Sequence, residues 1–233
     1  MSELLTQEEY SSIAQSIDLP RTAFIDGKYQ AGRGSTLTTV NPADGSVLCE
    51  IAACNSDDVD LAVEKAREAF EQGVWSKQHP SDRKEVLIRL AKLMSRNRRE
   101  LAVLESIDSG KPIRDCEGVD IPESIHTITW HAEATDKLYD QSAPCGDDAM
   151  AVIVREAIGV VAAVLPWNFP LLMLAWKIAP ALAAGNSVVV KPAEQTSLTA
   201  LRVAELATEA GIPRGVLQAV SYTHLTLPTN REV

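Results

Sequence analysis

The stretch "VVAAVLPWNFPLLMLAWKIAPALAAGNSVVVKPAE", Val160 to Glu194, decides how this chain folds. "VVAAV" is a short β-branched run that stops at a proline-rich turn. After Pro170, "LLMLAWKIAPALAAG" reads as a buried helix ending at Gly185, a residue suited to the left-handed turn beyond a helix. "SVVVKP" has no polar alternation, the pattern of a strand buried on both faces. Next comes "SLTALRVAELATEAG", an amphipathic helix with Ser197 as N-cap and Gly211 just past its end. "GVLQAV" is the following short strand. The order β-α-β-α-β predicts an α/β fold with a Rossmann-like, doubly wound parallel sheet.

In such a sheet, ligands sit beyond the carboxyl ends of the strands. Two ends stand out: "LPWN", Leu165 to Asn168, and "KPAE", Lys191 to Glu194. Parallel strands place both on one edge. Lys191 can donate to a ribose hydroxyl and Glu194 can accept from one. A carboxylate there favours a free 2′-hydroxyl and repels a 2′-phosphate. Equally, both residues can simply cap the next helix. Asn168 stands among Pro166, Trp167, Phe169 and Pro170, in a rigid and partly dry turn. Its amide can donate to an oxyanion that develops on an attacked carbonyl. The plainer alternative is a turn asparagine bonded to its own backbone. A glycine-rich phosphate loop of the G-x-G-x-x-G type is absent.

Upstream, residues 1–19 read as a short amphipathic helix or arm. "FIDGKYQ" carries the hairpin signal Asp26-Gly27, and "STLTTVNPADGSVLCEIAA" repeats the device around Asn41-Pro42 and Asp44-Gly45. Ser56 and Asp57 can cap a helix bearing Val59, Ala62, Val63, Ala66 and Phe70. Ser81 to about Ser109 is helical in pattern, and so is Ile113 to about Tyr139. The basic residues Arg83, Lys84, Arg89, Arg96, Arg98 and Arg99 read as a solvated face paired with Glu85, Glu100 and Glu105.

Of the 233 residues, 45% are hydrophobic and 23% charged, enough for a sizeable core without disulfides or structural metals. A formal charge of −10 disfavours nucleic acid as a partner. The apolar run from Val160 to Ala184 is broken by Pro166, Asn168, Pro170, Lys177 and Pro180, so no membrane span is predicted. The start of the chain, "MSELLTQEEYSSIAQ", lacks the basic and apolar segments of a signal peptide. Cys49, Cys54, Cys116 and Cys145 form no CxxC pair and have no histidine cluster beside them in sequence. They are expected as reduced thiols in a cytoplasmic protein rather than zinc ligands.

The motif "VLPWNFPLLMLAWKIAPALAAGNSVVVKPAEQTSLTALRVAEL" closely resembles the NAD(P)-dependent aldehyde dehydrogenase superfamily. The likeness extends through "NPADGSVLCEIA", "ESIDSGKPI" and "IVREAIGVVAAVLPWNFP", and covers roughly Ala23 to Val220. "DIPESIHTITWHAEATDKLYD" looks most like enzymes acting on γ-glutamyl-γ-aminobutyraldehyde and other aminoaldehydes. The resemblance implies that Asn168 helps form the oxyanion hole and that Lys177 belongs to a proton relay. It places Leu165, Pro166 and Trp167 along an NAD cofactor and "KPAE" (Lys191, Pro192, Ala193 and Glu194) at its adenine ribose. It suggests a structural monovalent cation, potassium or sodium, at Thr39, Val40, Asp108 and Gln195, partly through backbone oxygens. The implied substrate is a small aldehyde, oxidised to the acid, and the complete protein is expected to be a homo-oligomer.

On this resemblance the chain divides into an arm (1–19), the first part of a cofactor-binding domain (20–138), the start of a bridging hairpin (139–157) and the Rossmann-like segment (158–220). The final residues, 221–233, "SYTHLTLPTNREV", have no place in the family pattern. They read as a translated adapter or assembly artefact, with a natural splice or frameshift end as the alternative. The family's nucleophilic cysteine and its partner glutamate match no position here, so the chain alone is expected to be inactive. A non-catalytic binding or structural protein is the competing class. An unpaired outer edge of "GVLQAV" is expected to leave the chain poorly stable, without a sharp cooperative melt.

Overall fold

Capping residues and turn glycines set the ends of several elements in the computed structural model, which describes residues 4–222. Helix α1 (Gln7–Ser16) starts at a capping box between Thr6 and Glu9. Strands β1 (Ala23–Ile25) and β2 (Lys28–Gln30) form a hairpin through Asp26 and Gly27, both at positive φ. A second hairpin joins β3 (Thr36–Val40) to β4 (Val47–Ala52). Helix α2 (Ser56–Gln72) is capped by Asn55, not by Ser56 or Asp57. The Asn55 Oδ1 accepts from the Asp58 N–H at 3.1 Å, and the Asp58 carboxylate accepts from the Asn55 N–H at 3.0 Å.

The expected helix from Ser81 to Ser109 is two: α3 (Pro80–Arg96) and α4 (Arg98–Ser109). Asn97 breaks it, its side-chain amide donating to the Leu93 carbonyl at 2.8 Å beside its own backbone N–H. The next expected helix is also interrupted. A short α5 (Ile113–Asp115) runs into a π-helical turn (Cys116–Asp120) and then α6 (Ile121–Ala134), which stops short of Tyr139. The exposed hairpin of β5 (Gln141–Ala143) and β6 (Ala151–Ile153) follows.

The segment β7 (Val160–Val164), α7 (Pro170–Ala183), β8 (Ser187–Lys191), α8 (Leu198–Ala210) and β9 (Leu217–Ala219) follows the order read from the sequence. Strands β7, β8 and β9 are parallel, and the five-stranded sheet runs β2-β1-β9-β8-β7. The sheet is therefore mixed: β1 pairs antiparallel to β9, Phe24 opposite Ala219. That pairing corrects the expectation of an open β9 edge. The N-terminal hairpin covers it, and among the described residues the sheet ends at β2 and β7. The closing segment 221–233 lies outside the described residues from 223 onward.

Strand β8 is buried on both faces. Val188 and Val190 face the large core shared with α3, α6, α7 and α8, while Val189 packs with Ala62 and Ala66 of α2. Close packing on the α2 side explains Gly215. A Cβ there would stand 2.5 Å from the Lys65 carbonyl oxygen, and φ is +78°. The buried Gln218 ties the same layers, accepting from Asp26 N–H and donating to the Ala62 carbonyl. Among the described residues no helix is long and apolar enough to cross a membrane.

Candidate functional site

The carboxyl ends of β7 and β8 lie side by side. Val164 pairs with Lys191, and one residue further the Leu165 N–H donates to the Lys191 carbonyl at 3.0 Å. "LPWN" and "KPAE" thus leave the sheet together on one edge. Leu165, Pro192 and Ala193 are buried and fix the two turns, whereas Pro166 is exposed and Trp167 is 62% exposed over the edge. Lys191 Nζ donates to Glu194 Oε1 at 2.8 Å and to the Pro192 carbonyl at 3.0 Å. Both side chains stay partly accessible. Neither caps α8, so the helix-capping alternative for this pair fails.

Asn168 is exposed, and among the described residues its side chain has no hydrogen-bond partner. The turn-asparagine alternative fails as well, because the amide is not spent on its own backbone. Phe169 follows as the N-cap residue of α7, with no side-chain cap bond of its own. Lys177 lies further along α7, exposed beside Trp176.

The N-termini of α7 and α8 are held by side chains of α4. Glu105 and Asp108, one turn apart on α4, are 0% and 2% exposed. Glu105 Oε1 accepts from the Leu171 N–H at 3.2 Å, at the start of α7. Asp108 Oδ2 accepts from the Leu198 N–H at 2.9 Å, at the start of α8. A carboxylate near these positive helix ends is favourable. Ser197 occupies the N-cap position, as expected, but its hydroxyl makes no cap bond. The opposite ends are held by arginines of α3. Arg83 Nε donates to Ala183 O of α7 at 3.4 Å, and Arg89 Nε to Ala210 O of α8 at 2.8 Å. The expected solvated pairing of Glu105 and Arg83 is therefore overturned: both are buried and act on helix termini. A carboxylate at an i,i+3 spacing within an apolar stripe was the available signal.

Burial pushes the Glu105 carboxyl up to about 7, opposed by the Leu171 N–H and reinforced by Asp120. Burial also raises Asp108 to about 7, opposed by the Leu198 N–H and reinforced by Glu105. Folded values above the unfolded ones mean that the stability these two carboxyls contribute is fully present at low pH and is lost as pH rises through about 7. The urea midpoint is therefore expected to fall between pH 5 and pH 8. Glu105→Gln, which keeps an acceptor for Leu171, should flatten that fall. An equal slope in the variant would refute the assignment.

The four proposed cation positions are partly brought together. Thr39 pairs with Cys49 across the second hairpin, at a bulge before Val40. Cys49 and Ile51 pack with Leu104 of α4 and Leu198 of α8. That cluster carries Thr39 toward Asp108 and the segment after "KPAE". Thr39 Oγ1, Asp108 Oδ1, Thr196 Oγ1 and Ser197 Oγ are buried without hydrogen-bond partners. Uncompensated oxygens of this kind fit a bound cation. Val40 and Gln195 are exposed.

The three buried cysteines are not activated thiols. Cys49, Cys54 and Cys116 are buried, and burial raises all three, Cys54 to about 11 and Cys116 to about 12. Cys145 is exposed between β5 and β6, its thiol donating to the Ala149 carbonyl at 2.9 Å.

The model of the aldehyde dehydrogenase family matches residues 29–227 of this chain. The aminoacetaldehyde dehydrogenase of Pseudomonas aeruginosa is 60% identical over 221 residues, 94% of this chain and 45% of that protein. The NADP/NAD-dependent aldehyde dehydrogenase PuuC of Escherichia coli is 48% identical, over 89% of this chain and 42% of its own length. The structure of an indole-3-acetaldehyde dehydrogenase complexed with NAD+ superposes with a TM-score of 0.93 at 48% identity, covering 95% of this chain and 45% of that one. The chain spans less than half the length of the curated relatives it matches.

Proposed function

The chain belongs to the aldehyde dehydrogenase family, and from that premise we propose that it supplies the cofactor-binding edge of an enzyme oxidising an aldehyde to a carboxylic acid with NAD. The observation that carries this reading is the shared edge, where the Leu165 N–H bonds the Lys191 carbonyl at 3.0 Å and sets "LPWN" beside "KPAE". Bound there, NAD would supply the hydride acceptor. Lys191 would donate to an adenine-ribose hydroxyl and Glu194 accept from one, each exchanging part of its present ion pair for the ligand. Pro192 and Ala193 hold these two at a fixed spacing. Leu165, Pro166 and Trp167 would lie along the cofactor. Asn168, with its amide unspent, would donate to the carbonyl oxygen of the aldehyde as charge develops on it. Lys177 would serve the proton relay.

Relatives acting on aminoacetaldehyde and on γ-glutamyl-γ-aminobutyraldehyde support an aminoaldehyde as substrate. Potassium or sodium would sit at Thr39, Val40, Asp108 and Gln195. Asp108 is the one carboxylate in that set, which suits a monovalent ion, and the exposed Gln195 side chain leaves its backbone oxygen as the donor. The projecting β5–β6 hairpin, with Met150, Val152 and Ile153 exposed, supports a homo-oligomer of the complete enzyme. Reduced cysteines support a cytoplasmic setting. With Cys49, Cys54 and Cys116 buried and their thiols raised, and Cys145 out on the β5–β6 hairpin, the 233-residue chain by itself would not turn over aldehyde.

A chimera tests the reading: this chain through Val220, joined to the remainder of the P. aeruginosa relative, assayed for NADH formation from aminoacetaldehyde. Turnover is expected. Glu194→Gln in the chimera should narrow the preference for NAD over NADP, by up to about tenfold in the ratio of kcat/KM, because a charged hydrogen bond facing the 2′-position is lost. A folded chimera without NADH formation would refute the function, and an unchanged cofactor ratio would refute the ribose role of Glu194.

A further inference from the structure

We propose that Glu105 and Lys111 are positioning residues for the Asn168 turn, holding its downstream flank through Leu171 and Phe169. The inference rests on Asn168 being the oxyanion donor. Among the described residues Asn168 has no hydrogen bond of its own, so its placement depends on what restrains its neighbours. Upstream, a single hydrogen bond ties the turn to β8, the Leu165 N–H donating to the Lys191 carbonyl. Downstream, two contacts converge from the "ESIDSGK" segment. Glu105 Oε1 receives the Leu171 N–H at 3.2 Å. Pro170 has no N–H, so Leu171 is the first residue of α7 able to donate, and α7 lacks any cap from its own N-cap side chain. Lys111 Nζ stands 3.7 Å from the centroid of the Phe169 ring, a cation–π contact one residue from Asn168.

Lys111 is itself fixed. Its Nζ pairs with Asp120 Oδ2 at 2.5 Å, and its carbonyl accepts from the Ser106 hydroxyl at 2.7 Å. Asp120 is the last residue of the π-helical turn, and the Ser124 hydroxyl bonds its carbonyl at 2.6 Å. The widened turn delivers a buried carboxylate to Lys111, so the interruption of the helix acquires a use. A chain of contacts runs from Asp120 through Lys111 and Phe169 to the turn that bears Asn168. A free amide on a turn held at both flanks is preorganised, which is the requirement for stabilising charge that develops during reaction.

The test uses the 15N-labelled chain, read by amide hydrogen exchange and by the side-chain NH2 signals of Asn168. Leu171 and Met173 report on the turn, since the Met173 N–H bonds the Phe169 carbonyl at 2.9 Å. Val220, bonded to the Val190 carbonyl, reports on the sheet. Glu105→Ala and Lys111→Met are each expected to speed exchange at Leu171 and Met173 by about tenfold or more relative to Val220, and to shift the Asn168 signals. Glu105→Gln and Lys111→Arg, which keep the acceptor and the cation, should restore both. Should Glu105→Ala not fold, the Lys111→Met and Lys111→Arg pair decides alone. Exchange at Leu171 and Met173 that rises only in step with Val220, with Asn168 signals unmoved, would overturn the proposal. Failure of the oxyanion reading shows separately, as unchanged turnover in an Asn168→Ala chimera while the exchange results stand.

Discussion

Asn168→Ala, made in the chimera with the P. aeruginosa relative, is expected to lower kcat by about 10²–10³ with little change in KM for NAD. The magnitude is that of removing one preorganised oxyanion donor. Asn168 is exposed at the strand edge with its amide uncommitted, so alanine removes a donor without breaking an internal bond. Folding stability should stay within about 0.5 kcal/mol, as for ordinary surface substitutions. Steady-state kinetics and a urea melt, run together, check both halves. A loss of kcat accompanied by an equal loss of stability would assign Asn168 a structural role instead.

Trp75→Ala is expected to destabilise the chain by about 3–5 kcal/mol, a large share of the roughly 5–15 kcal/mol that holds a domain together. Trp75 is 0% exposed in the main core, and its Nε1–H donates to the Leu182 carbonyl at 2.9 Å. It therefore locks the C-terminal end of α7, the helix whose other end carries the Asn168 turn. The melting temperature should drop by about 10 °C or more. Trp75→Phe keeps much of the volume and should cost about 1–2 kcal/mol. This comparison requires a measurable cooperative transition. One is expected because β1 covers β9 and a single core joins the sheet to α3, α4, α6, α7 and α8. Two variants with melts equal to the parent would show that this core is not the stabilising one.

Reading β7 to β9 from sequence worked because each signal was local. Consecutive valines marked a strand buried on both faces, Gly185 and Gly211 marked helix ends, and Pro170 marked a helix start. Parallel strands then fixed the common edge, so the adjacency of "LPWN" and "KPAE" was legible too. Long-range pairing was not. Nothing in "FIDGKYQ" says that Phe24 will lie opposite Ala219, because a hairpin signal specifies its own turn and not the strand it joins. Glu105 and Arg83 were misplaced for a related reason. A charged residue in a helical pattern defaults to solvent, and only the fold reveals that a helix terminus of another segment waits for it. The π-helical turn also escaped, since Cys116–Asp120 carries no residue that forbids an ordinary helix.

The most direct test of the central claim is a 15N–1H titration of the chain with NAD, followed at assigned backbone amides and at the Trp167 indole. Progressive shifts are expected at Leu165, Trp167, Asn168, Lys191, Ala193 and Glu194. Weaker shifts are expected with NADP, whose 2′-phosphate meets the Glu194 carboxylate. Shifts confined to other surfaces, or none at these residues up to millimolar NAD, would contradict the assignment of this strand edge as the cofactor site.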